Sequence, residues 1–187
     1  DIIVPSVMHM AFIQMCVARD IPTICQKPFT RSLIEAKAAV QLAEDARVPL
    51  FVHENFRFQP WHIKIKEMLD AGRIGEVYQA TFRLRPGDGQ GPAAYLNRQP
   101  YFQRMERFLV HETAIHLIDV FRGFFGEIET VTAELTQLNP HIAGEDAGFI
   151  IMNFKNGVRA LIDGNRLSDH IAKDRRQTIG DMWVEGS

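Results

Sequence analysis

The chain has 187 residues, 46% of them hydrophobic, and a formal net charge of -2. This composition suits one large or two small packed domains, and the scattered basic residues exclude a nucleic-acid footprint. Two cysteines are too few for a disulfide framework and no apolar run is long enough to cross a bilayer, so the sequence predicts a cytoplasmic protein without nucleic-acid or membrane partners.

The first part of the chain alternates short apolar runs with helical patterns. Ser32 and Glu35 form a capping box at the start of one helix, and Pro60 occupies a favoured first helical position at the start of another. This rhythm predicts a parallel sheet with crossover helices. The predicted strands are 1–5, 22–25 and 49–52, and the predicted helices are 9–19, 33–46 and 60–72. The predicted buried face of the second helix is Leu33, Ala36, Val40 and Ala43.

After residue 75 the pattern changes to that of a helix with a mostly antiparallel sheet. Residues 76–85 alternate apolar and polar, residues 86–100 are a loop, and one helix is predicted over 103–125. The glycine-rich run 87–91 superficially resembles a phosphate-binding loop, but no helix opens from it, so a flexible surface loop is favoured. Further strands are predicted at 129–138, 148–154, 158–163 and from 182 onward, with a tight Asn-Gly turn at 156–157.

Residues 110–119 (VHETAIHLID) concentrate the chemistry of the second region. On an α-helix Glu112 and His116 lie one turn apart on one face, with Asp119 a further turn along. A carboxylate stacked on an imidazole can handle a proton, whereas the structural alternative is a helix with a few solvated polar residues.

Two segments of the first region end strands at the edge where open α/β sheets bind ligands. Lys27, followed by Pro28, could aim an ammonium at a substrate oxygen, although a lone Lys-Pro is more often an ordinary surface turn. Arg57, between two phenylalanines, could bind an anion or amide, although simple packing is the commoner role for such an arginine.

Five segments in chain order match the marks of one known family. Together they resemble the Gfo/Idh/MocA family of NAD(P)-dependent oxidoreductases, the relatives of glucose-fructose oxidoreductase and inositol dehydrogenase. The segments are residues 5–9 against T-P-x-x-x-H, 25–29 (CQKPF) against C-E-K-P-hydrophobic, 55–60 (NFRFQP) against N-R-R-F-x-P, 71–77 (AGRIGEV) against A-G-x-I-G-x-V, and 112–119 against D-x-G-x-H-x-x-D.

The resemblance implies an α/β plus α+β fold. Residues 1–73 are expected to be the C-terminal part of a Rossmann domain, and residues 74–187 a truncated substrate-binding and oligomerisation domain. Three departures stand out: Gln26 replaces the family's Glu, Glu112 replaces its Asp, and the G-x-G-x-x-G loop is absent from this chain. Further Rossmann strands are therefore expected before Asp1, and further sheet after Ser187.

The resemblance also implies a reaction and its residues. The expected reaction is hydride transfer between NAD or NADP and a hydroxyl or carbonyl of a sugar, cyclitol or related polyol, in a homo-oligomer formed through the sheet face. His116 is expected to be the general base, Lys27 the polarising ammonium, and Glu112 the acid that orients substrate or tunes the histidine. The expected cofactor-binding residues are Pro5, His9, Lys27, Pro28, Asn55 and Arg57.

Two alternatives accompany this interpretation. Without the glycine loop the chain could be an inactive or binding-only fragment. The His111–His116 segment is also one residue longer than the H-E-x-x-H zinc motif, and that extra residue would turn the histidines apart on a regular helix, so a metal-dependent hydrolase is the weaker alternative.

Overall fold

The computed structural model describes residues 1–187 and divides them into two compact units, Asp1–Asn55 and Phe56–Ser187. The predicted domain boundary at residue 73 falls within the second of these units, and the assignment of domains at that position stays a prediction. None of the helices is long and apolar enough to cross a membrane.

The first unit is a small parallel sheet with two helices. Strands β1 (Thr23–Gln26) and β2 (Leu50–His53) pair in parallel, and helices α1 (His9–Val17) and α2 (Leu33–Ala46) flank them. The predicted strand over residues 1–5 contributes only one parallel bridge, between Ile2 and Cys25. The buried core of this unit is Ile2, Ile13, Val17, Cys25, Ala39, Ala43 and Val48.

The start of α2 follows the capping box only in part. The backbone N–H of Glu35 donates to the Ser32 hydroxyl at 3.2 Å, as predicted, but the Glu35 carboxylate accepts from the backbone N–H of Arg31 at 3.0 Å. The predicted buried face is wrong at Leu33 and Val40, which are 69% and 44% exposed. The buried stripe runs through Ala39 and Ala43. Leu33 and Val40 lie about 100° around the helix from that stripe.

The second unit is built on a five-stranded mixed sheet. Its strands are β3 (Val77–Leu84), β4 (Ile128–Thr136), β5 (Ala147–Phe154), β6 (Arg159–Asn165) and β7 (Gly180–Gly186), and their order is β4-β5-β6-β3-β7. All pairs are antiparallel except β3 with β6, which run parallel. The predicted tight turn between β5 and β6 is present, with Gly157 at φ 90°.

Helix α4 (Ile115–Phe125) covers one face of this sheet, and α3 (Pro60–Asp70) packs beside α4. Leu117 and Phe121 are fully buried against the strands, together with Phe82, Met152 and Ile162. The other face leaves large apolar side chains exposed at Phe149, Ile151 and Trp183. This one-sided burial produces the alternation predicted for β3.

The single helix predicted over residues 103–125 is wrong at its start. Pro100–Arg104 is a separate 3-10 turn, and the chain then enters a π-helix, Leu109–Ala114, that leads directly into α4. A distant residue satisfies its first N–H groups. The Leu109 N–H donates to the Glu145 backbone oxygen at 2.9 Å and the Val110 N–H to the Glu145 carboxylate at 3.0 Å. Local periodicity could not reveal this partner, because it lies 35 residues from Val110. A short helix, α5 (Arg175–Thr178), was also not predicted from the sequence.

Candidate functional site

The candidate site in the second unit lies where β3 and β6 end. These two strands are parallel, with Leu84 opposite Gly164, so their carboxyl ends reach the same edge of the sheet. Arg166 follows β6 there, and its guanidinium contacts Thr113 in the π-helix. π-helical turns inside longer helices occur frequently at functional sites. The edge therefore brings the acid Glu112 of the π-helix and Arg166 together.

His116 is buried and stacked against an aromatic ring. It is 6% exposed, and its ring lies parallel to that of Phe56, with a centroid distance of 3.9 Å and an interplanar angle of 7°. Phe56 belongs to a 3-10 turn, Phe56–Phe58. Nδ1 of the buried His62 donates to the Phe56 backbone oxygen at 2.7 Å and fixes this turn. Burial lowers the pKa of His62, although its bond to that oxygen acts in the opposite direction.

The same turn is attached to α4 by an ion pair. Nε and Nη2 of Arg57 donate to the two carboxylate oxygens of Asp119 at 2.6 and 2.5 Å, and Nη2 also contacts the Asp119 backbone oxygen at 3.2 Å. This forked geometry is the strong form of an arginine–carboxylate pair. Arg57 and the last residue of the 112–119 motif are thus direct partners, and the cofactor-binding role of Arg57 stays a prediction.

Glu112 lies in the π-helix with its side chain 14% exposed. The Thr113 hydroxyl donates to Glu112 Oε2 at 2.6 Å, and Nη1 of Arg166 lies 3.5 Å from the same oxygen. The carboxylate is therefore held by two donors, so Glu112 is not one of the solvated residues that the structural alternative required.

Arg166 is a residue of the site that was not predicted from the sequence. Its side chain is 5% exposed and it donates to Asp88, Tyr95 and Thr113. Burial acts against its charge, but the neighbouring acids, Asp88 first, outweigh this and raise its pKa. Burial also raises the pKa of the Tyr95 hydroxyl. Arg166 follows a strand end just as Lys27 does, and this position was the available signal. Its guanidinium also lies over the rings of Phe108, Tyr95 and Phe102.

The glycine-rich loop over residues 87–91 is fastened to the rest of the unit. Asn139 Nδ2 donates to the backbone oxygens of Gly89 and Gly91 at 2.7 and 2.9 Å, and the Gly89 N–H donates to the Arg166 backbone oxygen at 3.0 Å. Turns, not a helix, follow Gly91. The loop is thus hydrogen-bonded on both sides, which differs from the flexible loop expected from its glycines.

A cavity of about 1000 Å³ adjoins this loop. Asp88, Tyr95 and Arg98 line one side, and residues 171–176 line the other. Burial raises the pKa of the Tyr101 hydroxyl, and its hydrogen bond from Gln99 acts in the opposite direction.

The remaining predicted site residues belong to the first unit. Lys27 and Pro28, joined by a cis peptide bond, directly follow β1, and Asn55 lies two residues after β2. The backbone N–H of Lys27 donates to Gln26 Oε1 at 3.3 Å, and Gln26 Nε2 lies 2.7 Å from His53 Nδ1. The residue that replaces the family's glutamate therefore bridges the ends of both strands.

His9 is a buried residue, 1% exposed. Its two ring nitrogens each lie 2.9 Å from a backbone oxygen, Nδ1 from that of Phe29 and Nε2 from that of Val4. The ring thereby joins the segment before α1 to the one after β1. Pro5 is exposed beside it. The cofactor-binding roles of His9 and Pro5 stay predictions.

The histidine spacing counted against zinc on a regular α-helix, but His111 lies in a π-helix, so that spacing does not decide the zinc alternative. The chain contains no group of three or more His, Cys, Asp or Glu side chains that could hold a metal ion. Glu112 is instead engaged by Thr113 and Arg166.

Comparisons with known proteins connect this geometry to a family. Among curated proteins, the chain is 39% identical over 163 residues to a D-apiose dehydrogenase of Rhizobium rhizogenes, with 87% of this chain and 46% of that protein covered. It is 34% identical over 187 residues to a D-apiose dehydrogenase of Paraburkholderia graminis, with 100% of this chain and 48% of that protein covered. The chain thus spans about half the length of these relatives.

A solved structure shares both the fold and part of the sequence. The crystal structure of an oxidoreductase from Agrobacterium radiobacter in complex with NAD+, L-tartaric acid and magnesium matches with a TM-score of 0.87 and 33% identity, over 98% of this chain and 52% of that chain. This likeness confirms the predicted fold class. The model of the GFO/IDH/MocA C-terminal domain matches residues 62–181. Because that match covers more than half of the chain, the chain belongs to the GFO/IDH/MocA family.

Proposed function

We propose that the protein is an NAD(P)-dependent oxidoreductase that transfers a hydride between a nicotinamide cofactor and a hydroxyl or carbonyl of a sugar, cyclitol or related polyol. The observation that carries the proposal is the buried His116, stacked flat on Phe56 one helical turn after the acid of the family's motif. The D-apiose dehydrogenases among the relatives support a sugar or polyol substrate.

His116 is the general base for the hydroxyl proton in the oxidative direction and the acid in reverse. An imidazole suits this role because its ordinary pKa of about 6.5 lies near neutral pH. The Phe56 ring restricts the plane of the imidazole, so its ring nitrogens point along fixed directions. Glu112 orients substrate or tunes the histidine, and Thr113 and Arg166 hold its carboxylate for that purpose.

The role proposed for Lys27 is to place an ammonium against the substrate oxygen, where it stabilises the developing alkoxide. The ends of the parallel strands β1 and β2 are the edge at which such sheets bind ligands, and Lys27, Pro28 and Asn55 lie there. These residues, with Pro5, His9 and Arg57, are proposed to contact the nicotinamide end of NAD or NADP. The nicotinamide would supply the hydride acceptor. The 187 residues contain no glycine loop for its pyrophosphate.

The proposal also includes an oligomeric state and a cellular location for the protein. The exposed apolar side chains on the outer face of the five-stranded sheet support a homo-oligomer formed through that face. Both cysteines are free, which supports a reducing compartment, and we place the protein in the cytoplasm without nucleic-acid or membrane partners.

The decisive experiment compares His116→Ala with the wild type in the full-length protein. We expect kcat for polyol oxidation to fall by about 100-fold or more, because general base catalysis contributes about 10²–10⁴-fold. NADH affinity, measured by fluorescence, is expected to stay within about twofold. His141→Ala, at an exposed histidine, is the matched control. Unchanged turnover in His116→Ala would refute the assignment, and cofactor binding without turnover in the wild type would favour the binding-only candidate.

A further inference from the structure

The Thr113 hydroxyl lies between a group that can only donate and a group that accepts. Arg166 Nη1 is 2.5 Å from Thr113 Oγ1, and Thr113 Oγ1 is 2.6 Å from Glu112 Oε2. A guanidinium has no acceptor, so the hydroxyl oxygen must accept from Arg166. The hydroxyl hydrogen is then directed to Glu112. The direction of the two hydrogen bonds follows from the guanidinium, which only donates, and from the carboxylate, which accepts.

The arginine that sets this direction cannot easily change its own position. Its Nε donates to Tyr95 Oη at 2.8 Å and its Nη2 to Asp88 Oδ2 at 3.0 Å. The Phe108 ring lies under the guanidinium with its centroid 4.4 Å from Cζ. With hydrogen bonds on both sides and aromatic rings over its plane, the guanidinium is held in one orientation.

We propose that Arg166 and Thr113 are positioning residues that hold the Glu112 carboxylate for catalysis and couple it to the cavity-lining loop through Asp88 and Tyr95. The inference rests on the proposed function for the catalytic role of Glu112. Neither residue is required to touch substrate. A change in the loop at Asp88 or Tyr95 is transmitted to Glu112 because one guanidinium binds both sides.

Two variants at Thr113 test this arrangement in the full-length enzyme. Thr113→Val keeps the volume and removes the hydroxyl, whereas Thr113→Ser keeps the hydroxyl. We expect Thr113→Val to lower kcat by about 10-fold or more, since displacements of catalytic groups of this kind cost up to about 10²-fold. Thr113→Ser should remain within about threefold of the wild type. NADH affinity should be unchanged in both.

Variants of Arg166 test the other end of the Arg166–Thr113–Glu112 chain of hydrogen bonds. Arg166→Met should lower kcat at least as much as Thr113→Val, and Arg166→Lys should restore part of it because the charge returns without the fork. The matched control is Arg85→Met, which removes another poorly exposed arginine at the same sheet edge, paired with Asp163 at 2.6 Å. If Arg85→Met lowers kcat as much as Arg166→Met, the role is general stability and the proposal fails.

Two outcomes separate this inference from the proposed function. If Arg166→Met does not fold, the position-113 pair decides, and equal kcat for Thr113→Val and the wild type overturns the proposal. If the wild type oxidises no polyol, the proposed function fails. A double-mutant cycle on thermal unfolding then decides whether Thr113 and Glu112 are coupled. The Tm loss caused by Thr113→Val should then be smaller in a Glu112→Ala background, whereas additive losses would overturn the link.

Discussion

The ring of Phe56 lies flat on the imidazole of His116, with 3.9 Å between their centroids. Phe56 is in a 3-10 turn and His116 in the first turn of α4, so the stack joins two elements that are far apart in sequence. The turn is held in addition by the bond from His62 to the Phe56 backbone oxygen. The orientation of the proposed base therefore depends on a segment before α3.

Phe56→Ala should lower both turnover and stability. The half-buried ring loses an aromatic contact worth about 0.5–1.5 kcal/mol and some burial, so we expect an unfolding free energy lower by about 1–2 kcal/mol. Turnover should fall about 10-fold because the imidazole can rotate away from its working plane. Chemical denaturation and steady-state kinetics measure the two effects. Phe58→Ala, at a residue of the same turn that is 67% exposed, is the control and should change neither.

Arg57→Lys tests whether Arg57 is a structural partner of Asp119 or a cofactor ligand. Arg57→Lys loses the fork that binds both oxygens of Asp119, and we expect a stability loss of about 1 kcal/mol at most, because the arginine side chain is 38% exposed and solvent screens the pair. Asp119→Asn should cost a similar amount, and the double variant less than the sum. NADH titration tests the other role: if Arg57→Lys binds cofactor like the wild type, Arg57 is a structural partner of Asp119 and not a cofactor ligand.

Sequence patterns predicted most elements because their signals are local. The capping box located α2, Pro60 located α3, and the Asn-Gly turn located the β5–β6 hairpin. The alternation in residues 76–85 identified the buried face of β3 at Ala80, Phe82 and Leu84, but it was wrong at Tyr78, which lies at a β-bulge and is 56% exposed. Each of these signals lies within a few residues of the structure that it specifies, so neighbouring positions suffice.

The parts that could not be predicted depend on long-range partners. The π-helix takes its first acceptors from Glu145, and periodicity at 100° per residue predicted a regular helix there. Arg166 donates hydrogen bonds to Asp88, 78 positions away, and to Thr113, 53 positions away, so its place in the site depends on distant residues. The motif identified Glu112 and His116 by type and order. It carried no information about the hydroxyl and guanidinium that hold the acid.

Ser32→Ala tests the capping box in the first unit. The variant removes the acceptor for the Glu35 N–H, and we expect the unfolding free energy of this unit to fall by about 1 kcal/mol. Lys37→Ala, at an exposed position of the same helix, should change it by less than about 0.5 kcal/mol. Hydrogen exchange of the α2 amides measures both variants. Equal protection in Ser32→Ala and the wild type would show that Glu35 and Arg31 fix the helix start without the serine.

His62 should make the stability of the second unit depend on pH. Burial lowers its pKa in the folded state, while in the unfolded chain it titrates near 6.5. Above about pH 6.5 the histidine is neutral in both states and contributes no pH dependence. Below that value the unfolded chain takes up a proton that the folded state resists, so stability falls as the pH drops towards the lowered pKa.

Replacing this histidine with glutamine isolates the effect, because the glutamine amide can still donate to the Phe56 backbone oxygen and does not titrate. Denaturation curves at intervals from pH 8 to pH 5 should show a shallower loss of stability in His62→Gln than in the wild type. The gap between the two should approach about 1.4 kcal/mol for each unit by which the pKa is lowered. His141→Gln, at an exposed histidine, should follow the wild-type curve. Parallel curves for His62→Gln and the wild type would mean that the folded protein accepts the proton on His62 as readily as the unfolded chain does.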